Sequence, residues 1–205
     1  LGHWNGGVAG LELDQAREFG SSVALNAAGD RLAVGSTGAG GFGNVAPNSG
    51  EVHLISFSDG DFSGGKLMAS IGAITPRTLF GSAVALNATG DRLAVGAPRD
   101  GGAGSADFDA GAVHLFSFSD TNFSGGTLQA TLGKGYSGGK NLDVAGLDEG
   151  DRFGSSVALN AAGDRLAVGA HNDYGAGNAY SNSGAVRLFS FGDASFSNGA
   201  LQATL

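Results

Sequence analysis

Carboxylates are the side chains of this sequence that most readily suggest chemistry. Asp100, Asp107 and Asp109 crowd one polar stretch, and Asp173 takes the place of Asp100 in a later, similar stretch. Closely spaced hard oxygen donors are what calcium selects. The corresponding earlier stretch is Gly-rich and has no such acid, so a solvated acidic rim competes with a defined metal site. Calcium is kept as an option at these four residues, and folding is expected to need no cofactor. Asn26-Ala27-Ala28-Gly29-Asp30, Asn87-Ala88-Thr89-Gly90-Asp91 and Asn160-Ala161-Ala162-Gly163-Asp164 each carry one amide and one carboxylate. That is too few oxygens for calcium but suits a turn whose side chains bond their own backbone.

Other signals weaken on inspection. Gly38 to Gly43 spells G-x-G-x-x-G, but Asn44-Val45-Ala46-Pro47 follows where a pyrophosphate site needs a helix start. His53 and His114 share one repeat position that Arg187 fills in the third copy, which favours a polar contact over a metal ligand. The chain has no Cys, no G-x-S-x-G elbow and no recurring His–Asp pairing beside a Ser. No catalytic residue is assigned, and the chain is expected not to be an enzyme. Trp4, Tyr136, Tyr174 and Tyr180 fall in connectors and loops, the better places for contact with a glycan or protein partner. A formal charge of −8 opposes nucleic acid and anionic membranes. Neither a long apolar run nor a basic-then-apolar leader occurs within the sequence, so no spanning helix or signal peptide is expected in this stretch.

The elements behind these residues repeat. Phe19 to Gly35 returns letter for letter from Phe153 to Gly169, and the middle copy, Phe80 to Gly96, differs only at Ala83 and Thr89. From the Phe of Phe-Gly to the Phe of Phe-Ser the spacing is 43 residues in every copy, whereas the connectors run 18 and 30. The unit is therefore rigid and its connector is not. Each unit reads as four short strands. Two flank a tight turn with Gly29, Gly90 or Gly163 at positive φ, a third is apolar on both faces, and the fourth alternates, as in Leu128, Ala130 and Leu132. No helix is expected. A four-stranded sheet with two apolar faces needs a neighbour on at least one of them. The fold class is therefore all-β, with three four-stranded antiparallel blade-like repeats of β-propeller type, and a linear β-solenoid as the alternative. The boundaries are 1–72, 73–133 and 134–205, together part of a larger propeller or array.

Phe80-Gly81, then Gly96-Ala97-Pro98, then Gly111-Ala112-Val113 resembles the FG-GAP repeat of integrin α-subunit propellers and many bacterial surface proteins. The phrase SVALNAAGDRLAVGA with FSGG is similar to FG-GAP-like repeats of very large secreted exoproteins of the filamentous-haemagglutinin kind. The resemblance implies one blade per repeat, an extracellular or cell-surface setting, and a part in adhesion or surface structure. It also marks a departure, since integrin-type blades place a calcium loop where this chain has its Asn-to-Asp turns.

The recurring structural positions are Phe19, Gly20, Asp30 and Arg31, with Phe80, Gly81, Asp91 and Arg92, and Phe153, Gly154, Asp164 and Arg165. The Arg side chains are expected to make one repeated contact, to a backbone carbonyl or a carboxylate across blades. Phe57, Phe116, Phe118, Phe189 and Phe191 are expected in the core. Both termini stand at the same phase of the repeat, which reads as an excerpt of an array. The expected partners are further copies of the repeat, within or between chains, with a host protein or glycan as the alternative through loops such as Pro98 to Asp109 and His171 to Ser183.

Overall fold

The computed structural model describes residues 8–11, 17–41, 46–73, 75–105, 107–175 and 183–205. Thirteen strands run in chain order: β1 Phe19–Leu25, β2 Arg31–Ser36, β3 Glu51–Ser56, β4 Lys66–Gly72, β5 Ala83–Leu86, β6 Arg92–Ala97, β7 Ala112–Ser117, β8 Thr127–Gly133, β9 Leu142–Asp143, β10 Phe153–Leu159, β11 Arg165–Ala170, β12 Ala185–Ser190 and β13 Ala200–Thr204. They form three sheets, β1-β2-β3-β4, β5-β6-β7-β8-β9 and β10-β11-β12-β13. No helix occurs among the described residues. The successive β1–β4, β5–β8 and β10–β13 strands pair antiparallel within their own repeat. A solenoid would pair strands between repeats, so each repeat is a blade.

Local chemistry explains the hairpins. Gly29, Gly90 and Gly163 take φ of 74°, 81° and 79°, and the Asn26 carboxamide oxygen accepts from Asp30 N–H (3.1 Å) and Arg31 N–H (3.0 Å) while its amide donates to the Asp30 carboxylate at 2.8 Å. Asn160 repeats this set in the third blade. Asn and Asp thus close the turn on themselves, leaving few free oxygens for an ion.

Two features depart from four strands per unit. Leu142 and Asp143 run parallel to Leu132 and Gly133, so a piece of the long connector belongs to the second blade's sheet rather than to the third. Opposite the equivalent edge of the first blade, Ala9 bridges Lys66 in parallel.

The blades stack through their faces. Ala33, Val52 and Leu54 of the first meet Phe80, Val84, Leu86, Leu93 and Val95 of the second. On its far side the second blade presents Ala94, Val113, Leu115 and Leu132 to Phe153, Leu166, Val168 and Phe189 of the third. Phe116, Phe118, Phe189 and Phe191 are buried, and the ring pairs Phe118–Phe123 and Phe191–Phe196 meet edge to face at 5.1 and 5.2 Å. Each buried Val, Leu or Phe contributes roughly 1.5–3 kcal/mol, so stability comes from the joints.

Candidate functional site

The recurring residues converge on the seam between blades. Phe-Gly leads into the first strand of a blade after a residue at positive φ, which is Glu18, Leu79 or Arg152, so the chain kinks as it enters. Phe80 N–H donates to Ser49 O of the preceding blade at 2.9 Å, and Phe153 N–H to Ala110 O at 3.0 Å. The entering backbone packs so closely that side chains are excluded. A Cβ on Gly35 would lie 2.0 Å from Gly81 O, and one on Gly96 would lie 2.0 Å from Gly154 O. Gly50 and Gly111 are equally hemmed in, by Phe80 O and Phe153 O, at φ of +88° and +92°. The Phe-Gly of one blade and the two Gly positions of the blade before it are thus two halves of one lock.

Polar contacts close the other end of the seam. Ala27 N–H donates to Ala88 O, and Ala88 N–H to Ala161 O, both at 3.1 Å, a ladder linking the three hairpins. Arg31 Nε donates to Thr121 O of the next blade, with Nη2 to Asn122 Oδ1 at 3.2 Å, and Arg92 Nε donates to Ala194 O. Asp30 and Asp91 brace these guanidinium groups at 3.3 and 3.0 Å.

The accepting loop is itself held by an Asp that recurs singly. Asp59, Asp120 and Asp193 each accept two backbone N–H bonds, for instance 2.8 and 3.2 Å at Asp120. Backbone donors lead in holding these carboxyls below their ordinary range. Phe62, Phe123 and Phe196 occupy positive φ in the same loop, an unusual backbone for a bulky residue. Nothing in the sequence betrays that backbone or the carbonyl it presents. What could have pointed to the loop is that its Asp and Phe recur in step with the Arg.

The four candidate calcium ligands do not converge. Asp100 accepts from Tyr136 OH (2.9 Å) and Gly102 N–H and lies 4.0 Å from His114. Asp107 pairs with Lys134 at 3.1 Å, and Asp109 lies between Arg99 and Arg152 at 3.7 Å from each. Asp173 meets Arg187 at 2.9 Å, both side chains being buried. No group of three metal-ligating side chains occurs among the described residues.

At the third-strand position His53, His114 and Arg187 each lie against the Phe of their own blade's Phe-Gly, at 5.5, 5.4 and 5.9 Å. Burial lowers the pKa of both His residues; Arg17 adds to the effect at His53, and Asp100 opposes it at His114. Burial first, then Asp173, raises that of the Asp151 carboxyl, against the opposing bond from Asp148 N–H. Of the four aromatic candidates, Tyr136 is half-buried with its hydroxyl on Asp100, Tyr174 is exposed, and Trp4 and Tyr180 lie outside the described residues.

Residues 146–189 match the FG-GAP repeat. The FG-GAP match covers nearly all of the third blade's first three strands, and seventeen of its residues recur unchanged in the first blade. No match is found among curated proteins. Among solved structures, Sqt1 of Saccharomyces cerevisiae is similar at 9% identity, covering 94% of this chain and 37% of that one with a TM-score of 0.50. Sqt1 from Chaetomium thermophilum is similar at 14% identity and the same coverage, with a TM-score of 0.51. The likeness is one of fold, and this chain spans 37% of the length of either Sqt1. The fold is of β-propeller type, three blades in succession, the third of which carries the FG-GAP match.

Proposed function

We propose that this chain is a non-enzymatic structural repeat module of an extracellular bacterial surface or fibre-forming protein, acting through packing of repeat on repeat. One observation supports this reading above the rest: the recurring Gly and Arg positions of the first two blades bind the next blade, whose Phe-Gly they receive, rather than line a cavity. A catalytic centre is a single asymmetric place, whereas here the same contacts return at successive seams. The FG-GAP likeness supports the surface setting. The test is protease shaving of intact cells that produce the full-length protein. The repeat should be cleaved without lysis, and a repeat protected until lysis would refute the setting.

A second reading has an observation of its own. Asn48, Thr75, Arg77, Thr78, Arg99, Phe108 and Asp109 line a cleft of about 470 Å³ between the first connector and the second blade's long loop, with Asp109 at 3.7 Å from Arg99 and Phe108 two-thirds exposed. Two guanidinium groups beside an exposed ring suit an adhesin-type site for an acidic glycan. Glycan-array binding that vanishes in Arg77→Ala with Arg99→Ala supports it, and an array without acidic hits refutes it.

A further inference from the structure

Among the described residues the stacked blades leave two faces open, and those faces carry the two unmatched halves of the seam. Val23 on β1 is 65% exposed, whereas its counterpart Val84 on β5 is 8% exposed under the first blade. At the other end Val186 on β12 is 39% exposed, and its counterpart Val113 on β7 is 0% exposed under the third blade. Gly20, equivalent to Gly81 and Gly154, has nothing within 4 Å of an added Cβ. Gly169, equivalent to Gly35 and Gly96, faces Ser156 and Ser155 of its own blade where the other two face an incoming carbonyl.

The polar contacts are divided the same way. The Arg165 side chain is 57% exposed, against 10% for Arg31 and 16% for Arg92. Among the described residues its bonds stay within its own turn, to Asp164 O at 2.8 Å and to the Asp164 carboxylate at 3.0 Å. At the opposite end the first blade's loop has Gly60 where Thr121 and Ala194 accept from Arg31 and Arg92. Beside it stands Asp61 at the position of Asn122, the residue that Arg31 Nη2 reaches.

We propose that the two open faces are halves of one seam and join head to tail between two copies of this chain. The inference rests on the reading of the module as a packing device. Arg165 of one copy donates to Gly60 O and to the Asp61 carboxylate of the next, Ala161 N–H extends the hairpin ladder to Ala27 O, and Phe19-Gly20 seats against Gly169. The partner is identified by continuity with the internal seams, whose Phe-Gly, Gly, Arg and hairpin positions the two ends repeat. The new seam differs from those in one respect. It places a carboxylate where they have an amide or a hydroxyl, so it is charge-assisted and weakens with salt. Such contact is heterologous, one face against a different face.

Charge exchange tests this directly. Light scattering of the chain at rising micromolar concentration should give a mass above the 20.1 kDa of one copy, falling as salt is added. Arg165→Glu alone and Asp61→Arg alone should each be monomeric, and their equimolar mixture should regain the mass, because every joint in the mixture is again matched. Circular dichroism establishes that each variant is folded. Should Asp61→Arg not fold, Val186→Lys on the other face serves as the second block and should also give monomers. A wild-type chain that stays monomeric, single variants that assemble as wild type does, or a mixture of folded charge variants that stays monomeric would overturn the inference. None of those results bears on the surface setting, which protease shaving tests separately.

Discussion

At the scale of single residues the seam depends on atoms that are missing as much as on atoms present. Gly96 has its neighbour's carbonyl where a Cβ would go, at 2.0 Å, and that neighbour is backbone. Gly96→Ala must therefore displace the third blade, and overpacking of this kind costs about 1–3 kcal/mol. The sequence-equivalent Gly169→Ala meets only the Ser156 hydroxyl at 2.3 Å, a side chain that can rotate away. Urea melts of the isolated chain should show a marked loss for Gly96→Ala and a small one for Gly169→Ala. Equal losses would mean that the glycine is needed for its own strand and not for the joint. Arg92 gives a second comparison. Removing its side chain leaves Ala194 O without its charged donor, and bonds to charged groups contribute about 1.5–3 kcal/mol, the lower end applying to a side chain with some solvent access. Arg92→Ala should lower the urea midpoint and Arg92→Lys should recover little, because one ammonium cannot serve both Asp91 O and Ala194 O as the fork does. Arg165→Ala in dilute solution should leave the midpoint almost unchanged.

At the scale of elements the third strands of the first two blades carry a pH dependence near neutrality. Burial favours neutral imidazole at His53 and His114, so their folded pKa values lie below the ordinary 6.5. Above pH 6.5 folded and unfolded chains are alike in charge at these groups. As pH falls below it the unfolded chain takes up protons that the folded chain refuses, and stability drops until the folded pKa is reached. The melting temperature should thus decline between pH 7.5 and 5.5. His114→Gln should flatten part of that decline, and an unaltered slope would assign it to other groups. At the same position in the third blade Arg187 pairs with Asp173 instead. Elements were also where sequence and structure agreed most closely and then diverged. The hairpins were legible because Asn26, Gly29 and Asp30 act on their own turn, so the cause lies within five residues. That Arg31 bridges blades was suggested by recurrence, but its acceptor is a carbonyl ninety residues away, and any residue type offers a carbonyl. Phe62, Phe123 and Phe196 at positive φ run against local preference, held by the loop around them. The two-residue β9 has no periodicity to read and exists only because the edge of β8 lies beside it.

At the scale of the whole molecule the repeats provide their own control. In a stack where each unit touches only its neighbours, local stability is set by what covers each face. Phe19 to Gly35 and Phe153 to Gly169 have the same sequence, hence the same strand propensity and the same intrinsic amide exchange apart from the end residues. Their surroundings differ. Each twin is covered on one side, by the second blade, but on β10 that cover takes in Phe153 and Gly154, which are buried, while Phe19 and Gly20 on β1 are exposed. Exchange should accordingly be slower for the third-blade segment than for its twin, and slowest on β6 and β7, which lie between two neighbours. Mass spectrometry can tell the twins apart in peptides that run into their different flanks, Arg17-Glu18 and Asp151-Arg152. Equal rates in dilute solution would show that face burial does not govern local stability here. Concentration then adds a second arm. If copies join head to tail, protection on β1 rises toward that of β10 as the protein is concentrated, since the joint supplies to Val23 the cover that Val84 already has. The same rise should reach Val186 and the edge at β13, and Arg165→Glu should abolish it at both ends, because one severed contact opens both faces of the same seam.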